Sequence, residues 1–307
     1  MSGGAKLAIT GATGFVGQAV LDALDGSPVK ALARREQVSR KGAEWISGSL
    51  ADGAALDELA SGCEAMIHIA GLTNTPNPAD FEEANVTGTA NVIAACKKAG
   101  CKRLIFVSSL SARKPELSEY GASKARAEEL VKASKLNWTI VRPPAVYGPR
   151  DDDMLDLFRS AKWGMVPLPP GGATSIIYVD DLAKLLITLT IPENAKPSQR
   201  KIFEPDDGRE GGWAHKELAQ GIAEAMGKRN VLAPHLPRSV LSFAASADRL
   251  FRGDRAKLTP DRVGYMCHPN WVARSDRKVP SEIWQAEVAG AQGFAKTAEW
   301  YRARGWL

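Results

Sequence analysis

Apolar residues in the first half of the chain fall into short runs, separated by stretches that repeat with a helical period. The runs at 6–10 (KLAIT), 29–34 (VKALAR), 43–48 (AEWISG), 64–71 (EAMIHIAG), 102–109 (KRLIFVSS) and 138–143 (WTIVRP) predict six strands. Between the first two, Val16, Val20, Leu21 and Leu24 recur at the spacing of one helix face within 15–26. A second helix is predicted over 54–62 and a long one over about 79–99, closed by Gly62 and Gly100. Another follows the fifth strand and carries Tyr120 and Lys124. Strand–helix alternation of this kind calls for an α/β fold: a doubly wound parallel sheet with helices on both faces. The strands are almost unbroken apolar runs, as burial on both sides requires. Ligands of such sheets bind beyond the carboxyl ends of the strands, where both Gly11 and Ser109 fall.

The pattern changes after RPPAVYGPRDDD (142–153). Helical periods dominate, prolines are frequent, and Phe158, Trp163, Trp213, Phe243, Trp271, Trp284 and Trp300 collect. The expected division is a nucleotide-binding domain over 1–150 and a smaller, mainly helical substrate-binding part over 151–307. The segment 175–190, which begins SIIYVDDLAKLLITL, is expected to return to the sheet as a strand and a helix.

Composition adds limits. The 307 residues are 44% hydrophobic and 24% charged, the make-up of a soluble globular protein of one large or two closely joined units. Lys and Arg exceed Asp and Glu by 40 − 35 = 5, which suits a small anionic ligand; without a basic block, nucleic acid is not expected. Cys63, Cys96, Cys101 and Cys267 form no Cys-x-x-Cys pair and lie near no His cluster, so neither a metal site nor a disulfide is expected. Thiols of this kind suit the reducing cytoplasm. The start MSGGAKLAIT has no basic segment followed by an apolar stretch, so export is not expected, and no apolar run is long enough to span a membrane.

TGATGFVG places Gly11, Gly14 and Gly17 three apart, after a strand and at a helix start. Gly11 permits a tight turn, Gly14 lets backbone N–H groups approach a pyrophosphate, and Gly17 lets helix and strand lie close. The helix N-terminus then stabilises the anion. The second strand ends ALARRE. Where an NAD site carries an acid for the ribose 2′-hydroxyl, this chain has Arg34 and Arg35. Arginine suits a 2′-phosphate, so NADP(H) is preferred and NAD(H) is the alternative. A solvated surface charge is an equal reading for Arg35.

Tyr120 and Lys124 stand four apart in a helical segment that Ser118 can cap, with Glu119 in its first turn, so both side chains face one ligand. A phenol with an ordinary pKa of about 10 needs a neighbouring cation to act as a base near neutrality. Lys124 provides one. Ser109, at the strand end, can hydrogen-bond a substrate oxygen. His68, inside an apolar strand, is read as a packed core histidine.

GATGFVG, VSS, YGASK and RPPAVYGP together resemble the short-chain dehydrogenase/reductase superfamily. The likeness is to its extended branch, the NAD(P)-dependent epimerase/dehydratase and 3β-hydroxysteroid dehydrogenase group. It covers about residues 6–190, and the ending KTAEWYRARGWL is similar to the same branch. The resemblance implies a Rossmann-type fold and an oxidoreductase site in which Tyr120 is the general acid/base, Lys124 holds the nicotinamide ribose and Ser109 polarises the substrate oxygen. Ser108 and Ser111 are alternatives for that serine. It further implies that Gly11, Thr13, Gly14, Phe15, Val16, Gly17, Arg34, Ala70, Gly71, Asn85, Tyr120, Lys124, Pro143 and Val146 line the nucleotide site. Asn85 lies on the inward stripe of its helix, where a purely structural role is equally open. A homodimer is a further expectation from the resemblance.

Departures from the family pattern narrow the reaction. Leu110 and Ser111 follow Ser109 where sugar-nucleotide dehydratases carry an acidic pair. Thr174 and Ser175 stand where sugar-nucleotide epimerases have an arginine and an aspartate. The expected activity is NADP(H)-dependent hydride transfer with a carbonyl or secondary alcohol of a partly apolar small molecule. Trp163, Met165 and Trp271 are possible pocket walls. The alternatives are an NAD-dependent sugar-nucleotide epimerase and a non-catalytic NADP(H)-binding sensor or complex subunit.

Overall fold

A computed structural model describes residues 6–253 and 256–307. The chain begins with β1 (Leu7–Thr10), α1 (Phe15–Ala23), β2 (Val29–Ala33), β3 (Ala43–Ser47), α2 (Gly53–Ala60) and β4 (Ala65–His68). A continuous helical run follows, made of α3 (Ala79–Phe81), a π-helical turn (Glu82–Thr87) and α4 (Gly88–Ala99). Then come β5 (Arg103–Val107), α5 (Glu119–Ala133) and β6 (Asn137–Val141). The six expected strands are all present, with ends that differ by one to three residues: the fourth stops at His68 and not Gly71, and the sixth starts one residue earlier, at Asn137.

They belong to a seven-stranded parallel sheet of order β10-β6-β5-β4-β1-β2-β3, whose last member, β10 (Lys201–Phe203), the sequence pattern did not predict. Three residues that begin with an exposed lysine carry no readable period. Register is direct, with Ile9 opposite Ile67 and Ile67 opposite Ile105. The strand order reverses between β4 and β1, which opens the crevice where such folds take their ligand.

The two faces of the sheet are separate apolar layers. On one, Met66, Leu104, Phe106 and Ile140 pack with Leu56, Leu59, Val92, Cys96 and Val131 of α2, α4 and α5. On the other, Ile9, Ile67, Ile105 and Val141 pack with Val20 and Leu21 of α1. That second layer is completed by Leu182 and Leu186 of α7 (Val179–Thr188). The segment after Ser175 therefore returns to the sheet as a helix. Its strand does not join the main sheet: β9 (Ile176–Tyr178) pairs with β7 (Ala145–Tyr147) in a separate ribbon. β6 already has β10 on its far side, so no edge there is free.

The rest comprises α6 (Leu155–Lys162), α8 (Pro192–Ser198), α9 (His215–Ala225), α10 (Arg238–Arg252), α11 (Pro260–Met266) and α12 (Gly290–Ala303). A small sheet is formed by β8 (Ala173–Thr174), β11 (Trp213–Ala214) and β12 (Asn270–Trp271). Tyr147, Phe158, Ile222, Phe294 and Tyr301 make a third core. Among the described residues no helix is long and apolar enough to cross a membrane, and no group of His, Cys, Asp or Glu is arranged to hold a metal.

Candidate active site

The glycine loop joins β1 to α1. Gly11 adopts φ +74°, and a Cβ there would lie 2.6 Å from the Ala70 nitrogen at the end of β4. Gly17 is required by packing, since a Cβ would meet the Gly11 carbonyl oxygen at 2.1 Å. Gly14 is different: its Cβ would make only an ordinary 3.4 Å contact with that oxygen, and the residue is exposed. Nothing within the chain demands a glycine there, as expected where a ligand backbone must approach closely. Gly14 is also the N-cap of α1, and no side chain caps that helix. Thr13 is exposed beside it, and Phe15 and Val16 pack half-buried into the α1 layer. These features fit a dinucleotide pyrophosphate.

Arg34 and Arg35 follow the last residue of β2, the strand beside β1; both are exposed, and neither forms an ion pair among the described residues. On the other side of β1, Ala70 and Gly71 follow β4. A Cβ on Gly71 would lie 2.6 Å from Asn85 Oδ1 and 3.5 Å from Lys124 Nζ.

Asn85 sits in the π-helical turn and is buried. Its Oδ1 accepts from the Leu72 N–H at 2.8 Å, and its Nδ2 donates to the Leu72 carbonyl at 3.0 Å and to Ser123 Oγ at 2.9 Å. It therefore ties the loop after β4 to α5. Irregular helical turns of this type recur at functional sites. His68 bridges Thr10 Oγ1 and Thr89 Oγ1 at 2.7 and 3.0 Å; burial, aided by the charge of Lys124, pushes its pKa down to about 3. It is a neutral core group, as the sequence pattern implies.

Helix α5 starts at Ser118, whose Oγ accepts from the Gly121 N–H at 3.0 Å. Asp261 of α11 reinforces this start from outside: its two carboxylate oxygens accept from the Glu119 and Tyr120 N–H groups at 2.5 and 3.3 Å. Tyr120 is buried between the rings of Phe81 and Tyr265, each with its centroid 6.0 Å away. One turn on, Lys124 Nζ donates to the Val107 carbonyl at 2.8 Å and lies over the Phe106 ring at 4.9 Å. Burial lowers the Lys124 pKa to about 8, partly offset by Glu128. Burial raises that of Tyr120, with Ser109 acting in the opposite sense. The phenol is thus held in its protonated form.

The three serines differ in their commitments. Ser108 Oγ donates to Glu128 Oε1 at 2.6 Å, and so joins a buried ionic cluster. Ser109 Oγ accepts from the Ser111 N–H and donates to Ser111 Oγ, both at 3.1 Å. Ser109 is half-buried; Ser108 and Ser111 are buried. Pro143 and Val146 lie just past β6, and the Pro143 carbonyl accepts from the Leu110 N–H at 3.2 Å, which fixes the turn that carries Ser109.

The pattern did not reveal the cluster behind this turn. Arg142 donates two hydrogen bonds to Glu128, at 2.8 and 2.7 Å, and contacts Glu204 Oε1 at 3.4 Å. Arg113 reaches Glu204 Oε2 at 3.2 Å and the Val272 carbonyl at 2.8 Å. Neither glutamate nor either arginine forms a motif alone, and their sequence separations hide the cluster. Asp261 and Tyr265 were missed for the same reason, in a region without local signal.

Of the possible pocket walls, Trp163 and Met165 are exposed just past the end of α6 and join none of the apolar cores. Trp271 is buried, donates from Nε1 to the Tyr265 carbonyl at 2.8 Å, and so supports the ring that touches Tyr120.

Comparison with known proteins agrees with this geometry. The profile of the NAD dependent epimerase/dehydratase family matches residues 7–202. The chain is 35% identical over 318 aligned positions to a ceramide reductase of Caulobacter vibrioides, covering 98% of this chain and 96% of that one. It is 31% identical to a 2-alkyl-3-oxoalkanoate reductase of Stenotrophomonas maltophilia, with 87% and 91% covered. In three dimensions it matches MoeE5 in complex with UDP-glucose and NAD at TM-score 0.73 and 20% identity, covering 98% and 100%. The chain belongs to the NAD-dependent epimerase/dehydratase family, the extended branch of the short-chain dehydrogenases/reductases, and is an NAD(P)-dependent enzyme.

Proposed function

We propose that the protein is an NADP(H)-dependent reductase of a ketone carried by a lipid-like small molecule. The observation that carries this reading is the setting of Tyr120: a phenol buried between Phe81 and Tyr265, beside the Ser109 hydroxyl and one turn from Lys124. A protonated phenol is poised to give a proton, which is what reduction of a carbonyl requires of it. The two reductases that align with nearly the whole chain support the same direction, and their names denote a ceramide and an alkyl-substituted oxoalkanoate as substrates.

In this reading the glycine loop, Ala70, Gly71, Asn85, Pro143 and Val146 hold the nucleotide. Arg34 is assigned to the 2′-phosphate because it is an exposed, unpaired guanidinium at the end of β2. A nicotinamide held there would supply the hydride. Tyr120 gives its phenolic proton to the oxygen as negative charge develops there. Ser109 donates a hydrogen bond to the same oxygen, which stabilises that charge. Lys124, fixed by the Val107 carbonyl, facing Gly71 and one helical turn from Tyr120, holds the ribose. Of the three serines, Ser109 suits the role because Ser108 is committed to Glu128. No disulfide links the four cysteines, which favours a reducing compartment such as the cytoplasm.

The test is NADPH oxidation against a panel of long-chain 3-oxo lipids, steroids, aldehydes and hydroxyketones, with NADH in parallel. Turnover of the 3-oxo lipids with preference for NADPH is expected. A flat response to every carbonyl, with interconversion of a UDP-sugar instead, would replace this reading with an epimerase.

A further inference from the structure

Helix α10 carries an apolar face that nothing among the described residues covers. Val240, Phe243, Ala247, Leu250 and Phe251 fall at i, i+3, i+7, i+10 and i+11, which is one stripe. Phe243, Leu250 and Phe251 are 77%, 82% and 85% exposed, and Val240 is 46% exposed. The helix is held only by its other side, where Leu241 and Ala245 bury against Val263 of α11. Exposed aromatic and leucine side chains grouped on one helix mark a contact surface, where scattered ones would not.

The rest of the helix is hydroxylic and basic. Ser239, Ser242 and Ser246 border the stripe, and the helix carries Arg238, Arg249 and Arg252 against a single acid, Asp248: 3 − 1 = +2. Asp248 is turned inward. Its Oδ2 accepts from the Lys257 and Leu258 N–H groups, and it pairs with Arg252. Arg238 and Arg249 enter no ion pair among the described residues. Low overall hydrophobicity, a Phe/Leu stripe and unpaired arginines are the features of a helix that lies in the plane of a lipid interface. The positive charge complements anionic headgroups. A second copy of the chain would bring the same positive charges together.

We propose that α10 docks the protein on a membrane surface that contains anionic lipid. Phe243, Leu250 and Phe251 enter among the acyl chains, and Arg238 and Arg249 meet the headgroups. The position of the helix gives docking a use. α10 rests on α11, whose Tyr265 packs on Tyr120 and whose Asp261 caps the catalytic helix. A bilayer under α10 is thus one helix away from the phenol. Delivery of an apolar ketone by this route rests on the reductase reading; the docking itself does not.

The experiment is co-sedimentation of the full chain with vesicles of phosphatidylcholine alone and of phosphatidylcholine with phosphatidylglycerol. Binding to the anionic vesicles is expected, weaker binding to the neutral ones, and weakening by salt. The variant F243S/L250S/F251S is expected to lose affinity roughly a hundredfold. Its circular dichroism and NADPH affinity should stay unchanged, because the three side chains touch no core. A chain that stays in solution with both vesicles overturns the proposal, as does a triple variant that sediments like the native chain. A dimer abolished by the same substitutions, without vesicle binding, would assign the stripe to a second copy and also overturn it. Intact vesicle binding without carbonyl reduction would count against the reductase reading alone.

Discussion

Lys124 is the residue on which the site's electrostatics turn. It is fully buried, and its pKa is lowered to about 8 from 10.5 by desolvation. A lysine with a depressed folded-state pKa binds fewer protons folded than unfolded between those two values, so stability rises with pH across that window and is flat below it. Relative to Lys124→Met, the nucleotide-free native protein should gain on the order of 3 kcal/mol from pH 8 to pH 10.5. Urea unfolding of both proteins along that range checks the slope, and parallel curves would mean the ammonium is not desolvated. Arg34 makes a second residue-scale case. Arg34→Ala should weaken NADPH about tenfold to a hundredfold and leave NADH nearly unchanged, because only the 2′-phosphate loses a partner. Fluorescence titration with both nucleotides measures the ratio, and equal losses would remove the phosphate assignment.

At the scale of elements, the ends of β5 and β6 and the start of α5 hold the reacting groups in place. Ser118→Ala should cost about 1 kcal/mol in urea unfolding through the lost cap. Arg142→Met should cost more, about 3–5 kcal/mol, because it leaves Glu128 buried without its guanidinium and Glu204 with Arg113 as its remaining guanidinium partner. If Arg142→Met unfolds like the native chain, the ionic cluster does not stabilise the fold. The cap at Ser118 was legible in the sequence because Ser118, Glu119 and the helical period are neighbours. The ionic cluster was not, because Arg142 meets Glu128 and Glu204 across 14 and 62 positions and Arg113 meets Glu204 across 91. β10 escaped for another reason: its three residues are too few to show a period.

For the whole molecule, the six strands, their parallel order and the crevice could be read from alternation and from the glycine loop, since each rests on local spacing. The return of 175–190 was half legible: the amphipathic α7 was, and the partner of β9 was not, because pairing depends on which sheet edge is open. The region from 195 to 280 looked chemically silent. Its contributions, Glu204, Asp261 and Tyr265, act through contacts with residues more than sixty positions away. Trp163 and Met165 are the converse case, since aromatic or sulfur content alone does not say whether a side chain is buried or exposed.

The central claim is that Tyr120 gives the proton that completes hydride reduction. The direct measurement is the kcat of Tyr120→Phe with a reducible 3-oxo lipid and saturating NADPH, together with its NADPH affinity. Loss of about a thousandfold in kcat, with affinity held within about threefold, is the predicted result. A kcat within about fivefold of the native enzyme would contradict the claim and place the proton elsewhere.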